Sequence, residues 1–222
     1  MSVASSRRYR AVVSTPSRNP SSPPNTEPWN HNIHYHPLIL DAVPSTAGRV
    51  LDVGCGEGTL TRELGPRVAD VTGIDVDAPS IDLARRTTTA RNVTYVQSDV
   101  LAAPFRPESF DAIVSVAALH HLDMEDGLTQ MVRLLRPGGV LAVVGLARSR
   151  RVLDVPRDLF AAIGTRVLRR RRRYWEHSAP MVWPPPETFA GCRRIAETTL
   201  PGVRYRRHLL WRYSLVWTKP SG

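Results

Sequence analysis

The chain has little lysine and cysteine and no long apolar run. Lys219 is the only lysine among 222 residues, so the net charge of +10, from 30 basic and 20 acidic residues, is carried by arginine. Two cysteines, Cys55 and Cys192, are too few for a disulfide framework and lack metal-ligand spacing. No window approaches the roughly 18 apolar residues of a membrane span. We therefore expect a protein of the reducing cytoplasm, without a membrane span, and its oligomeric state stays open.

The first 28 residues lack the apolar segment of a secretory signal. They are rich in Ser, Pro and Arg, which is typical of a disordered tail, with a transit peptide as the alternative. The rest of the chain, residues 29–222, is long enough for one sizeable core but short for two domains. We predict a tail over residues 1–28 and a single domain over residues 29–222.

From residue 49 onward, short apolar runs alternate with segments of helical character. The runs are RVLDVG, VTGIDV, NVTYVQSD, FDAIVSVAAL and GGVLAVVGL, and helices are expected over residues 59–64, 78–90 and 125–135. This alternation is typical of βαβ units and predicts an α/β fold with a Rossmann-like, doubly wound, mostly parallel sheet. A helix over residues 187–199 and two strands in VRYRRHLLWRYSLVWTKP complete seven strands, with an antiparallel strand at the edge. Residues 147–186 are predicted to form a cap insertion after strand five.

The stretch VLDVGCGEGTL places three glycines on alternate positions after the first strand. Ligands of open α/β sheets bind at this carboxyl edge, where glycine lets the backbone turn tightly and approach the ligand. A dinucleotide site requires G-x-G-x-x-G, but here the third glycine, Gly58, comes one residue early, and no Gly-Lys-Ser/Thr follows as in a P-loop. Asp52, two residues before Gly54, favours a ligand that carries a positive amine.

Acidic residues also end the second and third strands. Asp75 lies about 20 residues beyond the glycines, where a carboxylate can accept both hydroxyls of a ribose. Its alternative role as a helix cap is better filled by Asp77. Asp99 can accept from the exocyclic amine of adenine, with the Val100 backbone against the ring. These strand ends together predict an adenosine with a charged amino-acid tail, a description that fits S-adenosylmethionine.

Five motifs in order across residues 49–146 resemble the class I methyltransferases that use S-adenosylmethionine, of the small-molecule type (methyltransferase domain 11-like). They are LDVGCGxG, an acid after strand two, Asp after strand three, FDxIVSxxALHHL and LRPGGxL. The sequence SVAALHHL replaces the Asn/Asp-Pro-Pro-Tyr/Phe motif of enzymes that methylate base amines. The resemblance implies S-adenosylmethionine as cofactor and transfer of its methyl group to a small-molecule acceptor. The cofactor contacts that the resemblance implies are Asp52, Gly54, Cys55, Gly56, Gly58, Asp75, Asp99 and Val100. Three further residues at the ends of strands two and four are also predicted to contact the cofactor: Val76, Ser115 and Val116.

His120 and His121 directly follow the fourth strand, on the side where the methyl group is expected. As a hypothesis, one of them deprotonates or orients the acceptor, since histidine titrates near neutral pH. The alternative is that they cap the next helix and pack beneath it. Because adjacent side chains point in different directions, at most one is expected to face the site.

Three further histidines, His31, His34 and His36, lie close together in HNIHYH. No cysteine or carboxylate completes a zinc site, so we do not expect a metal. Residues 29–45 are instead predicted to form a lid helix over the cofactor, with Tyr35 or a neighbouring histidine touching cofactor or substrate.

The cap insertion contains aromatic residues and an arginine run. Tyr174, Trp175, His177 and Trp183 are expected either to wall the acceptor pocket or to pack the cap onto the body. Six arginines between positions 166 and 173 form either a solvated surface or a contact for RNA, an acidic substrate or anionic lipid. The alternative functions are therefore an RNA-directed methyltransferase and a cofactor-binding protein that acts through this segment. An NAD-dependent oxidoreductase is disfavoured by the glycine spacing.

Overall fold

The computed structural model describes residues 30–149 and 184–221, and within these residues seven strands form one sheet. The predicted tail, the arginine run and the cap aromatics lie outside the described residues. The sheet order is β3-β2-β1-β4-β5-β7-β6. The strands are β1 Arg49–Val53, β2 Asp70–Asp75, β3 Val93–Gln97, β4 Phe110–Val116, β5 Leu135–Leu146, β6 Arg204–Arg207 and β7 Arg212–Thr218.

The first five strands run parallel, which confirms the predicted sheet. Strand β7 is antiparallel to β5, and β6 is antiparallel to β7. The antiparallel strand therefore lies one place inside the edge, because β6 folds outside it as one arm of a hairpin. The strand order reverses between β1 and β4, and in open α/β sheets such a point is where ligands bind.

Helices cover both faces of the sheet, as a doubly wound fold requires. One core cluster holds buried residues of α1 His36–Ala42, α2 Thr59–Leu64 and α3 Ala78–Thr87. The other holds those of α4 Met124–Leu134 and α5 Phe189–Thr199. Alternate residues of the central strands enter the two clusters, as the period of a strand dictates. None of the helices in the described ranges has the length and apolar character needed to cross a membrane.

Side-chain caps set several helix boundaries. Asp77 accepts the Ser80 N–H at 3.0 Å at the start of α3, and Thr188 accepts the Gly191 N–H at 3.1 Å at the start of α5. The helix predicted over residues 78–90 ends earlier, at Thr87, whose hydroxyl donates to the chain's own backbone at 2.8 Å. The two threonines that follow favour extended backbone, which explains the shorter helix.

The single lysine lies at the end of the sheet opposite the glycine loop. Lys219 Nζ forms an ion pair with Glu108 at 3.1 Å and donates to the carbonyls of Val132 at 3.2 Å and Leu135 at 2.8 Å. Its side chain is 18% exposed. These bonds satisfy carbonyl groups at the C-terminal end of α4, which the helix itself leaves without a donor.

Candidate functional site

A cavity of about 640 Å³ lies at the carboxyl ends of β1 to β4. It is at the point where the strand order reverses. Most of the predicted cofactor contacts line it, together with both histidines that follow β4. These predicted residues are Asp52, Gly54, Cys55, Gly56, Asp75, Val76, Asp99, Val100, Val116, His120 and His121.

The glycine loop owes its shape to backbone angles that other residues rarely adopt. Gly54 and Gly58 have φ values of +72° and +76°. A Cβ on Gly54 would overlap Ala118, and one on Gly58 would overlap the Tyr95 hydroxyl. A Cβ on Gly56 would meet no atom within 4 Å. Gly58 therefore shapes the turn without lining the cavity, whereas Gly54 and Gly56 present backbone to it.

Asp75 is held in a fixed orientation at the end of β2. One carboxylate oxygen accepts the Gly56 N–H at 2.8 Å and the other accepts the Asp77 N–H at 2.9 Å. A carboxylate has about four acceptor positions, so two remain for a ligand's hydroxyls. As predicted, it is Asp77 that caps α3.

Asp52 is a buried carboxylate beneath the glycine loop. It is 1% exposed, and its Oδ2 accepts the Thr61 hydroxyl at 2.7 Å. Burial raises the pKa of Asp52 to about 6, against the lowering by the Thr61 hydrogen bond and by the charge of His36. A positive ligand group beside it would favour the charged carboxylate.

The residues that follow β2 and β3 form another wall of the cavity. Asp99 is exposed, and its Oδ1 accepts the Leu101 N–H at 2.9 Å. Val76, directly after Asp75, is 65% exposed although apolar, and Val100 is buried at 5% exposure. An apolar side chain beside carboxylates that face solvent suits a flat, amine-bearing ring such as adenine.

Besides Gly58, one other predicted contact lies away from the cavity. Ser115 does not line the cavity, because its hydroxyl is buried and donates to the Val53 carbonyl at 2.9 Å, joining β4 to β1. Cys55 lines the cavity, but its sulfur packs close to Gly73 beneath the loop. Burial raises the pKa of the Cys55 thiol well above its ordinary value, so it stays neutral.

Both His120 and His121 line the cavity, so the expectation that at most one faces it is wrong. They lie in the 3₁₀ helix Leu119–His121, and their ring centroids are 4.1 Å apart. Three residues per turn place neighbouring side chains closer in direction than a strand would. The alternative role as a helix cap is also wrong, because Asp123 caps α4 through the Glu125 and Asp126 N–H groups.

The two histidines are held in the neutral form. Burial lowers the pKa of His120 to about 3, with further lowering by the charges of His121 and Arg212. Burial also lowers the pKa of His121, against the opposing charge of Asp75. His120 Nδ1 is buried, and in the part of the chain that the structure describes no group forms a hydrogen bond with it. Neutral imidazole can accept a hydrogen bond at this end of the cavity.

The N-terminal part of the described chain contributes one wall. His31, Asn32 and His36 line the cavity, from the 3₁₀ helix Ile33–Tyr35 and its neighbours. Tyr35 does not: it is buried in the core, and its hydroxyl donates to the Leu209 carbonyl at 2.8 Å. Of the predicted alternatives, Tyr35 or a neighbouring histidine, it is His31 and His36 that line the cavity.

The histidines of this segment have separate environments. His36 Nδ1 lies 3.0 Å from the Glu63 carboxylate, whereas His34 is exposed and contacts the edge of the Tyr35 ring. In residues 30–149 and 184–221, no group of three or more His, Cys, Asp or Glu side chains is arranged to hold a metal ion.

Several cavity residues were not predicted from the sequence. Leu122 and Leu146 follow β4 and end β5, while Trp211 and Arg212 come from the start of β7. Arg212 is 6% exposed, and its guanidinium donates to Asn32 Oδ1 at 2.8 Å. No local motif marks these residues, since the fold brings them together from distant parts of the chain.

Comparison with known proteins agrees with this geometry. The family model described as "Methyltransferase domain" matches residues 51–143. An uncharacterized methyltransferase of Mycobacterium tuberculosis is 37% identical over 195 residues, covering 87% of this chain and 98% of that protein. The phthiotriol/phenolphthiotriol dimycocerosates methyltransferase 1 of Mycobacterium ulcerans is 34% identical over 138 residues, covering 60% of this chain and 50% of that protein.

A solved structure shows the same fold. The N-methyltransferase NodS of Bradyrhizobium japonicum, in complex with S-adenosylhomocysteine, has a TM-score of 0.56 at 21% identity, covering 85% of this chain and 87% of that one. The cavity has acidic residues and backbone suited to the amine, ribose and adenine of S-adenosylmethionine, which is the methyl donor. By family match, extended identity and fold, the chain belongs to the class I methyltransferases that use S-adenosylmethionine.

Proposed function

We propose that this enzyme transfers the methyl group of S-adenosylmethionine to a small-molecule acceptor by in-line displacement, and that the residues below carry the reaction. The observation that supports this most directly is the order of groups along the cavity. Asp52, the glycine loop, Asp75 and Asp99 follow one another across adjacent strand ends. That order matches the amine, ribose and adenine of a single extended ligand.

Each acidic residue has one role in binding. Asp52 holds the cofactor's ammonium, and the bound charge keeps this buried carboxylate ionised. Asp75 accepts the ribose hydroxyls with the acceptor positions that Gly56 and Asp77 leave unused. Asp99 accepts from the adenine amine, and Val76 covers one face of the ring.

The reaction centre lies near the end of β4. The cofactor supplies an already activated methyl group, so the protein's main contribution is to place the acceptor about 3–3.5 Å from it and in line. Ala117 and Ala118 leave room there. With a pKa of about 3, His120 is a weak proton acceptor at neutral pH, so we assign it to orienting the acceptor through a hydrogen bond.

A small-molecule acceptor is supported by the size of the site. The cavity volume of about 640 Å³ lies within the range of small-molecule pockets. A relative over part of the chain is named for phthiotriol and phenolphthiotriol dimycocerosates. The RNA alternative depends on arginines outside the described residues, and no observation favours it. The reducing cytoplasm, the lid role of residues 29–45 and the single-domain division stay predictions.

Calorimetric titration of the protein with S-adenosylmethionine, S-adenosylhomocysteine and NADH tests the cofactor site. We expect binding of the first two in the micromolar range and none of NADH. Protein incubated with radiolabelled methyl donor and a small-molecule extract should then label extract components. Labelling of total RNA in a parallel incubation, with no labelling of the extract, would contradict a small-molecule acceptor.

A further inference from the structure

A second, smaller cavity adjoins the cofactor cavity. Its volume is about 120 Å³, and it shares three wall residues, His120, Leu122 and Leu146, with the larger one. It lies between the starts of α4 and α5. The two cavities therefore meet at these three residues.

The smaller cavity is mostly apolar. Its walls include Leu119, Met124, Cys192, Ile195 and Tyr213. An apolar cavity of about 150 Å³ binds benzene, so this one suits a group no larger than a six-membered ring.

Glu187 adds one negative charge to this apolar wall. The residue is half-buried, its carbonyl accepts the Arg148 N–H at 3.0 Å, and the next residue caps α5. A Cβ on Gly191 would overlap the carboxylate, which therefore lies over the first turn of α5. Burial raises the pKa of the Cys192 thiol to about 12, and the nearby Glu187 charge adds to the rise.

The Glu187 carboxylate is available for a ligand. Within residues 30–149 and 184–221 it forms no ion pair. The other acid of this cavity, Asp123, is engaged as the cap of α4. A half-buried carboxylate at the wall of an apolar cavity is suited to bind a cation that is attached to a small hydrocarbon group.

We propose that the smaller cavity is an acceptor subsite for a small apolar group that carries a protonated amine, with Glu187 as the residue that binds the amine. The inference rests on the proposed function, because it names the acceptor's chemical class. A protonated amine has no lone pair and cannot attack a methyl group. The amine held by Glu187 is thus a recognition group, separate from the atom that receives the methyl.

The test uses two probes of equal shape, benzylamine and benzyl alcohol, titrated into the protein with and without saturating S-adenosylhomocysteine. For the unmodified chain we expect benzylamine to bind about tenfold more tightly than benzyl alcohol. Glu187→Gln should bring the ratio of the two affinities close to one. Glu197→Gln is the matched control, because Glu197 lies on α5, is exposed and is paired with Arg193; this variant should keep the preference.

A second variant tests the cavity itself. Ile195→Phe adds a ring to its wall and should weaken both probes by about tenfold, with S-adenosylhomocysteine affinity unchanged. Equal affinity for the two probes in the unmodified chain, or an amine preference that survives in Glu187→Gln, would overturn the subsite. Failure of S-adenosylhomocysteine to bind would overturn the proposed function instead. The titrations of benzylamine and benzyl alcohol in its absence would still test the subsite.

Discussion

The Asp75 carboxylate accepts the Gly56 N–H at 2.8 Å, so the residue that ends β2 also fixes the loop that follows β1. Asp75→Asn replaces one acceptor oxygen with an NH₂ group, which removes a ribose contact and opposes a backbone N–H. We expect cofactor affinity to fall by about tenfold to a hundredfold. Calorimetry with S-adenosylhomocysteine measures it. The control Asp82→Asn, on the exposed face of α3, should bind normally, and unchanged affinity in Asp75→Asn would remove the ribose role.

Gly54→Ala should weaken cofactor binding by more than tenfold, because its Cβ would overlap Ala118 and displace the loop. Gly202→Ala is the matched control, since Gly202 also has a positive φ of +81° but a Cβ there meets no atom within 4 Å. Both variants should lose about 1 kcal/mol of stability from the backbone angle alone. Thermal melts and titration together separate the effects. Equal binding by the two variants would show that the close approach of Gly54 has no role.

Cofactor affinity should increase as pH rises through about 6, the pKa of Asp52, because only the ionised carboxylate attracts the ammonium. Below that pH, affinity should fall by up to about tenfold per unit. Asp52→Asn should weaken binding at pH 8 and remove this dependence. Titrations at pH 5 to 8 test the prediction, and the same slope in the variant would contradict its assignment to Asp52.

The same carboxylate has an opposite effect on folding. The pKa of Asp52 is raised from 3.8 to about 6, so between these values the native state binds a proton that the unfolded state lacks. Stability from this group is therefore lost as pH rises, by roughly 3 kcal/mol at neutral pH. Asp52→Asn should raise the melting temperature at pH 8 in the absence of cofactor. A lower melting temperature would contradict the burial cost.

His120 should make the protein sensitive to acid. Its pKa falls from 6.5 in the unfolded chain to about 3, so the unfolded state binds the extra proton between these values. Stability is then complete above pH 6.5 and is lost as pH falls toward 3. His120→Gln, which cannot be protonated, should lose less stability than the unmodified chain between pH 7 and pH 5. Denaturant melts at the two pH values measure this difference, and equal losses would rule it out.

The glycine loop and the parallel strands were predictable because both depend on local pattern. The spacing around Gly54 excluded two other nucleotide sites, and α2 occupies the predicted residues 59–64. The positions of Asp75 and Asp99 beside the cavity could be predicted because parallel strands end at one edge of a sheet. The burial of Ser115 could not be predicted from the sequence. It depends on a hydrogen bond from the Ser115 hydroxyl to the Val53 carbonyl of β1, which is not adjacent to Ser115 in the sequence.

The cavity wall that contains Asn32 and Arg212 was harder to predict from the sequence, because its residues come from distant parts of the chain. Asn32 and Arg212 are hydrogen-bonded across 180 positions. The turn before β7 depends on positive φ angles at Leu210 and Trp211, two residue types that rarely adopt them. Glu187 was assigned to a helix, whereas α5 begins two residues later, after the Thr188 cap.

The position of Lys219 also determines how the protein can be attached to a surface. As the only lysine side chain, it is the only ε-amine that an amine-reactive ester can modify. Its three acceptors and low exposure should slow that reaction. Amine coupling through a side chain should therefore be slow, and because Lys219 lies at the end of the sheet opposite the glycine loop, coupling there leaves the cofactor cavity chemically unaltered.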